Sequence, residues 1–384
     1  MKIILTCNNA GGGHKAAVAA LTEIFQQQNR PWDVEVLDLD VALKWADPLF
    51  LVARRPSTIV YNWMLRNELT FWSRYAVHIM HFFMGLMSRV YIFILKVFFE
   101  KTRPDIVISV NSHYNRFLFQ SLRAAERRVP LVTILTDFAD RPPHFWFEHQ
   151  PQDVICGTRL AAEQAREFVR EERVWRVHGM VVHPRFYQEG AQQRSSALMA
   201  LGLQADATTV VVCFGSHGNG RMLDIARHLA SAGKRMQLIM LCGKNKKIAQ
   251  KLRQLKSPIP IHIEGFTNEM ASWLRLGDIF VGKPGPGAIS EALAVGLPVI
   301  VLQNWKTLDH ERYNARWVEE EGVGLSVRRI DEITTAIESI LDPRKNDLLR
   351  RNIDANRPQA IFEVPEIIEK ILVRYRADDG VSSR

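Results

Sequence analysis

Residues 280–298 read FVGKPGPGAISEALAVGLP: an apolar strand runs into Lys283, then Pro284, Gly285, Pro286 and Gly287, then a helix. That order suits an anion. Lys283 brings positive charge, the prolines stiffen the turn, and the helix start offers the N–H groups of Ala288 and Ile289. Glu291 follows within the helix, clear of a phosphate yet able to accept from two vicinal hydroxyls, as in a ribose. The loop can therefore hold a nucleoside diphosphate end to end. The plainer alternative is a Glu291 that only complements the helix dipole. A second loop, CFGSHGNGRMLDIA at 213–226, sets Gly215, Ser216, Gly218, Gly220 and Arg221 between strand and helix, donors suited to a diphosphate. A third, CNNAGGGHKAA at 7–17, places Gly11, Gly12 and Gly13 before His14. A histidine at a helix N-terminus is kept neutral near pH 7 by the dipole, which makes His14 a candidate general base. It could instead merely cap or fill the loop. With Asp38 or Asp40 the same loop offers a dinucleotide reading, but G-G-G-H is not G-x-G-x-x-G.

Such loops need strands and helices to hold them. KIILTC (2–7), DVEVLDLD (33–40), DIVISV (105–110), PLVTILTDF (130–138) and DVICGT (153–158) are apolar, strand-like runs with helical patterns between them. The rhythm restarts after 195 with TTVVVCFG, RMQLIMLCG, IPIHIEGF, DIFVGKPG and PVIVLQ. Continuous apolar strands alternating with helices mean parallel sheets covered on both faces. The expected fold is α/β, with two Rossmann-like doubly wound domains at 1–180 and 196–355 and a linker within 178–196.

The 384 residues carry a net charge of +9, which favours a polyanionic or phosphorylated partner. Cys7, Cys156, Cys213 and Cys242 form no C-x-x-C pair and read as reduced core residues. MKIILTCNN is a strand and too soon interrupted for a signal peptide. Segment 41–99 breaks the pattern, with seven basic residues, two acids and thirteen aromatics. From 74 to 100 it has helical period, with Arg74, His78, Gly85, Arg89, Lys96 and Glu100 on one stripe. Arg89 and Lys96 argue against a membrane span. The segment reads as helices covering the sheet, as a membrane-facing surface, or as both.

The stretch GFTNEMASWLRLGDIFVGKPGPGAISEALAVGLPVIV (265–301) resembles the nucleotide-sugar signature of the monogalactosyldiacylglycerol synthase and processive diacylglycerol glucosyltransferase family, with G-F-x-x-x-M, K-A-G-P-G-T-I-x-E-A and G-L-P. GGGHKAA resembles the family's G-G-G-H-[RK]-A. TDFADRPPHFWFEHQPQDVICGT (136–158) resembles its T-D-x-x-x-x-H-x-x-W segment, with spacing disturbed at Arg141, Pro142 and Pro143. GMVVHPRF, GSHGNG and LCGKNKKIAQKL match three further motifs, so the likeness covers most of the chain. The lipid-linked N-acetylglucosaminyl transferase of peptidoglycan synthesis is similar but less close.

The resemblance implies a GT-B architecture with the active site in a cleft. The C-terminal domain would bind a UDP-sugar, the N-terminal domain a lipid acceptor, and a last helix at 356–384 would cross back to the first domain. It places Phe266 and Thr267 at the uracil, with Met270 in the same motif. Gly215, Ser216, Arg221, Lys283, Gly285, Pro286, Gly287 and Ala288 would line the diphosphate, and Glu291 would meet the ribose. In DHERYN (309–314) Glu311 and Asn314 match sugar-reading positions, and His310 replaces a glutamine. The implied reaction moves galactose or glucose in one inverting step to a lipid hydroxyl, most naturally that of 1,2-diacylglycerol. His14 is the first choice of base and Asp137, at a strand end, the second. No Asp-x-Asp motif is placed for a metal, and helix N-termini with Lys283 or Arg221 would take the leaving charge, so neither metal nor other cofactor is expected. The expected partners are a UDP-sugar, a lipid acceptor and an anionic membrane surface, with no nucleic acid, at the cytoplasmic face of the cell membrane. A non-catalytic nucleotide-sugar binder remains the rival reading, as does N-acetylglucosaminyl transfer to a lipid-linked precursor.

Overall fold

The structure, a computed structural model, describes residues 1–8, 12–47, 50, 54, 73–141, 146–188, 193–305 and 307–382, without the side chains of 73–77 and 378–382. Gly11, Pro142, Pro143 and most of 48–72, including Arg55, Arg66 and Glu68, lie outside the described residues. The chain divides into two compact units, Met1–Pro184 with Pro358–Arg384, and Arg185–Arg357.

In the first unit β1 (Lys2–Cys7), β2 (Asp33–Asp38), β3 (Ile106–Ser109), β4 (Leu131–Ile134), β5 (Asp153–Cys156) and β6 (Val174–Arg176) form one sheet in the order β2-β1-β3-β4-β5-β6. Every pairing is parallel. Ile3, Ile4, Leu5, Val107, Ile108 and Val132 are wholly buried, as strands covered on both faces must be. Besides a single turn at Leu39–Ala42, the described α-helices before the second unit are α1 (Gly13–Gln27), α2 (Ser73–Leu86), α3 (Ser88–Thr102), α4 (Asn115–Ala124) and α5 (Arg159–Ala165). The strand order reverses between β1 and β3, the switch point where ligands of open α/β sheets bind beyond the strand ends.

Helical period over 74–100 predicts one helix with a polar stripe. The structure instead has α2 and α3, bent by 65° at a break between Leu86 and Ser88. Gly85 and Ser88 flank the break, and glycine–serine pairs are common seats of sharp kinks. No single described helix is long and apolar enough to cross a membrane. The two helices are apolar on opposite faces. Met84, Tyr91, Leu95 and Phe99 are buried with β1 and β3 residues, while Phe82, Leu86 and Phe93 are 70%, 71% and 65% exposed.

In the second unit β7 (Thr208–Cys213), β8 (Met236–Leu241), β9 (Ile261–Glu264), β10 (Ile279–Gly282), β11 (Val299–Leu302) and β12 (Gly324–Val327) form a parallel sheet in the order β12-β11-β10-β7-β8-β9. Its helices are α6 (Arg194–Ala200), α7 (Arg221–Ser231), α8 (Lys246–Arg253), α9 (Met270–Arg275), α10 (Pro286–Ala294), α11 (Asp309–Glu320), α12 (Ile333–Leu341) and α13 (Pro343–Ala355). The order reverses between β7 and β10, so the loops that follow these two strands are neighbours.

The last helix, α14 (Ala360–Ser382), packs in the first unit. His178 N–H donates to Glu363 at 2.8 Å, Arg30 pairs with Glu369, and Arg374 reaches the fully buried Asp153 at 2.5 Å. Asp153 also accepts from Arg173 at 3.2 Å and from the Trp175 indole at 2.9 Å.

Candidate functional site

In the second unit the switch point brings together the two glycine loops read from sequence. A Cβ on Gly215 would lie 3.7 Å from Cε of Lys283. Gly215 and Gly218 have φ of 78° and 55°, a region open to glycine, and Gly218 N–H closes the turn onto Gly215 O at 3.1 Å. Ser216 Oγ lies 3.2 Å from His217 Nδ1, and Arg221 begins α7 with its N–H on Asn219 Oδ1 at 2.8 Å.

Lys283 leaves β10 and its Nζ donates to Glu311 Oε1 at 2.5 Å. Burial pushes the Glu311 carboxyl up, but Lys283 and His310 more than offset this and hold it below the usual range. Gly285 caps α10, and the space a side chain would need there is bounded by Lys283 and Glu311. Asn314, 1% exposed, donates its amide to Pro284 O at 2.8 Å. Glu311 and Asn314 thus lie beneath the loop and brace it, one through Lys283 and one through Pro284.

The available N–H groups start one residue earlier than the Pro-Gly spacing alone suggests. With Gly285 as cap and Pro286 first in the helix, Ile289 N–H already bonds Gly285 O at 3.1 Å. Gly287 and Ala288 are the residues whose N–H groups precede that first helical bond, and the position above Gly287 is open. Glu291 has no hydrogen-bond partner among the described residues. Burial raises its carboxyl to about 7, with Arg185 pulling the other way. Arg185 itself donates to Asn268 O at 2.6 Å.

Phe266 and Thr267 follow β9; Phe266 is 53% exposed, and Thr267 Oγ1 accepts from Glu269 N–H at 2.9 Å just before Met270 opens α9. Lys244 lies over the Phe266 ring at 4.9 Å.

In the first unit His14 is the second residue of α1, after Gly12 in the left-handed region with φ 89° and Gly13. Its Nδ1 lies 2.5 Å from Val110 O, just past β3 across the switch point, and 3.3 Å from Thr136 Oγ1. A carbonyl only accepts, so Nδ1 carries the proton and Nε2 is the basic nitrogen. Asp137 accepts from the Trp146 indole at 2.9 Å, and the Trp146 ring lies 6.0 Å from His14. Asp38, the acid of the dinucleotide reading, is engaged by Lys15 at 3.0 Å and by Asp40 N–H at 3.0 Å. Val110 is not legible as a site residue in the sequence, because it acts through its backbone. Trp146 ends the T-D-x-x-x-x-H-x-x-W segment, so a signal for it exists. The four cysteines are free and buried, and burial raises Cys7 and Cys242 to about 11.

Comparison with known proteins bears on the fold and the class of enzyme. Residues 209–371 match the glycosyltransferase family 28 C-terminal domain. The chain is 26% identical over 389 residues to monogalactosyldiacylglycerol synthase 1, chloroplastic, of Arabidopsis thaliana, covering 94% of this chain and 69% of that protein. Among solved structures, MurG of Acinetobacter baumannii superposes with a TM-score of 0.62 at 13% identity, covering 96% of this chain and 100% of that one. Anabaena Alr3699/HepE, solved in complex with UDP and glucose, gives 0.55 at 15% identity, covering 97% and 99%. At those identities the structures bear on fold alone, the paired Rossmann-like domains of GT-B transferases. This chain is accordingly a glycosyltransferase, one whose residues 209–371 match the family 28 C-terminal domain and which is similar to the monogalactosyldiacylglycerol synthases over most of its length.

Proposed function

We propose that this glycosyltransferase moves a hexose, galactose or glucose, from a UDP-sugar to the hydroxyl of a membrane lipid, 1,2-diacylglycerol being the acceptor that fits best. The observation that carries the donor reading is the meeting of Lys283, the Gly287 and Ala288 N–H groups, Gly215 and the half-buried Glu291 at one switch point. Helix-start amides and a lysine take the diphosphate charge as UDP leaves, and they need no reorganisation to do so. Glu291 accepts from the ribose hydroxyls, Ser216 and Arg221 flank the diphosphate, and Phe266 with Thr267 takes the uracil. Glu311 and His310 at the start of α11 read the sugar, with Asn314 fixing the loop above them.

In the first unit, the His14 tautomer set by Val110 O leaves Nε2 to remove the acceptor proton. Attack from the face opposite UDP inverts the anomeric carbon. The names of the relatives support a diacylglycerol acceptor. The exposed apolar face of α2 and α3, with Phe82, Leu86 and Phe93 beside Arg89 and Lys96, supports peripheral attachment to an anionic leaflet. The test is incubation with labelled UDP-glucose or UDP-galactose and diacylglycerol in anionic vesicles. A labelled lipid of inverted configuration is expected. Tight UDP binding with no labelled lipid from either donor would replace the enzyme with a binder for these substrates.

A further inference from the structure

β8 and β9 are paired with Leu241 opposite Glu264, so the loops that leave them start side by side. One delivers Lys244 and the other Phe266, and the Lys244 ammonium sits 4.9 Å from the ring centroid. Lys244 is not held there by its own flexible stem alone. Its N–H donates to Ser216 O at 2.8 Å, which ties it to the glycine loop after β7. The two loops also interlock. A Cβ on Gly243 would come within 2.4 Å of Ser216 O, and one on Gly218 within 2.4 Å of Cys242 O. Both glycines have φ of 55°, so close approach and backbone conformation exclude a side chain at each. Asn245 next to Lys244 then caps α8 by accepting from Ile248 N–H at 3.1 Å. The backbone of Lys244 is thus fixed on both sides.

We propose that Lys244 is a positioning residue for the donor's nucleobase. Its ammonium takes one face of Phe266, fixes the ring, and reserves the opposite face for a pyrimidine. An ammonium over an exposed phenyl ring is a modest attraction, enough to restrict a half-exposed side chain. Because Lys244 is bonded to Ser216, the same lysine sets the distance between the base platform and the diphosphate loop. This inference rests on the assignment of Phe266 to the uracil.

The test uses the full chain and titration calorimetry with UDP and with pyrophosphate. Lys244→Met keeps the stem and removes the charge; it is expected to weaken UDP about threefold to fivefold. Lys244→Arg, which keeps a cation over the ring, is expected to recover UDP affinity to within about twofold, and pyrophosphate is expected to bind all three chains alike. In a Lys244→Met/Phe266→Ala double variant the lysine change should add nothing to the loss from Phe266→Ala, because it acts through the ring. Unchanged UDP affinity in Lys244→Met overturns the inference. So does an equal loss for UDP and pyrophosphate, which would make Lys244 a phosphate contact. If Phe266→Ala binds UDP as tightly as the native chain, the uracil assignment itself fails; if only Lys244→Met is silent, that assignment stands and the positioning role falls.

Discussion

Lys283 Nζ lies 2.5 Å from Glu311 Oε1, and the two side chains are 38% and 8% exposed. The carboxylate is the buried member, so the pair is asymmetric. Removing the lysine leaves a buried carboxylate with no other hydrogen-bond donor among the described residues, whereas removing the acid leaves a lysine that can turn to water. Lys283→Met is expected to lower stability by about 2 kcal/mol, read by thermal unfolding, and Lys283→Met/Glu311→Gln to recover most of it. Donor kcat/KM should stay low in both variants, since neither restores a cation for the diphosphate. A double variant as unstable as the single one would show that the burden is not the stranded charge.

Glu291 sets a pH dependence. Its carboxyl is raised to about 7 by burial and has no hydrogen-bond partner among the described residues. Only the ionised form accepts from two ribose hydroxyls, so UDP affinity should climb as pH rises through 7, about tenfold between pH 6 and pH 8. The folded protein holds this proton more tightly than the unfolded chain. The stability it contributes is therefore present below the usual carboxylate range and lost as pH rises through 7, opposite in sign to the binding effect. Calorimetric titration with UDP across this range checks the first, and a flat profile in Glu291→Gln ties it to this residue.

His14→Ala should cut transfer by about 10²–10⁴ while UDP affinity stays within about twofold. Asp137→Asn should cost less, because Asp137 is engaged by the Trp146 indole rather than by His14. Single-turnover rates in vesicles decide between them. Full turnover in His14→Ala would move the base assignment to Asp137.

The exposed face of α2 and α3 predicts a surface effect separate from catalysis. Phe82→Ser/Phe93→Ser should weaken sedimentation with anionic vesicles by at least about tenfold, since each ring withdrawn from lipid gives up on the order of 1.5–3 kcal/mol. Stability should change by no more than about 0.5 kcal/mol, because these rings are already in water. Unchanged vesicle binding would assign the face to another partner.

The strands and the glycine loops are legible in sequence because they are locally encoded: a fully buried parallel strand is apolar at nearly every position, and a turn of Pro and Gly announces itself. What is not legible depends on pairing across distance. Lys283 and Glu311 are separated by 28 positions and Lys244 and Phe266 follow different strands, so no local spacing reveals either contact. β6 and β12 give no sequence signal because VWR and GLSV are short edge strands, partly exposed, without an apolar run. The Pro-Gly spacing points to Ile289 as an anion donor, but proline placement fixes where a helix starts only to within a residue, and the cap at Gly285 uses that N–H. The break at Met87 is set against the period itself, which continues through both α2 and α3.

Asp153 is completely buried, and one of the cations that neutralise it, Arg374, stands 221 positions later in α14. During synthesis the sheet of the first unit emerges early, yet among the described residues this carboxylate has only Arg173 and Trp175 to answer it until α14 leaves the ribosome. Arg185–Arg357 is one continuous stretch that holds its whole six-stranded sheet. The second unit can therefore mature on the nascent chain while the first, though translated ahead of it, waits for its closing helix.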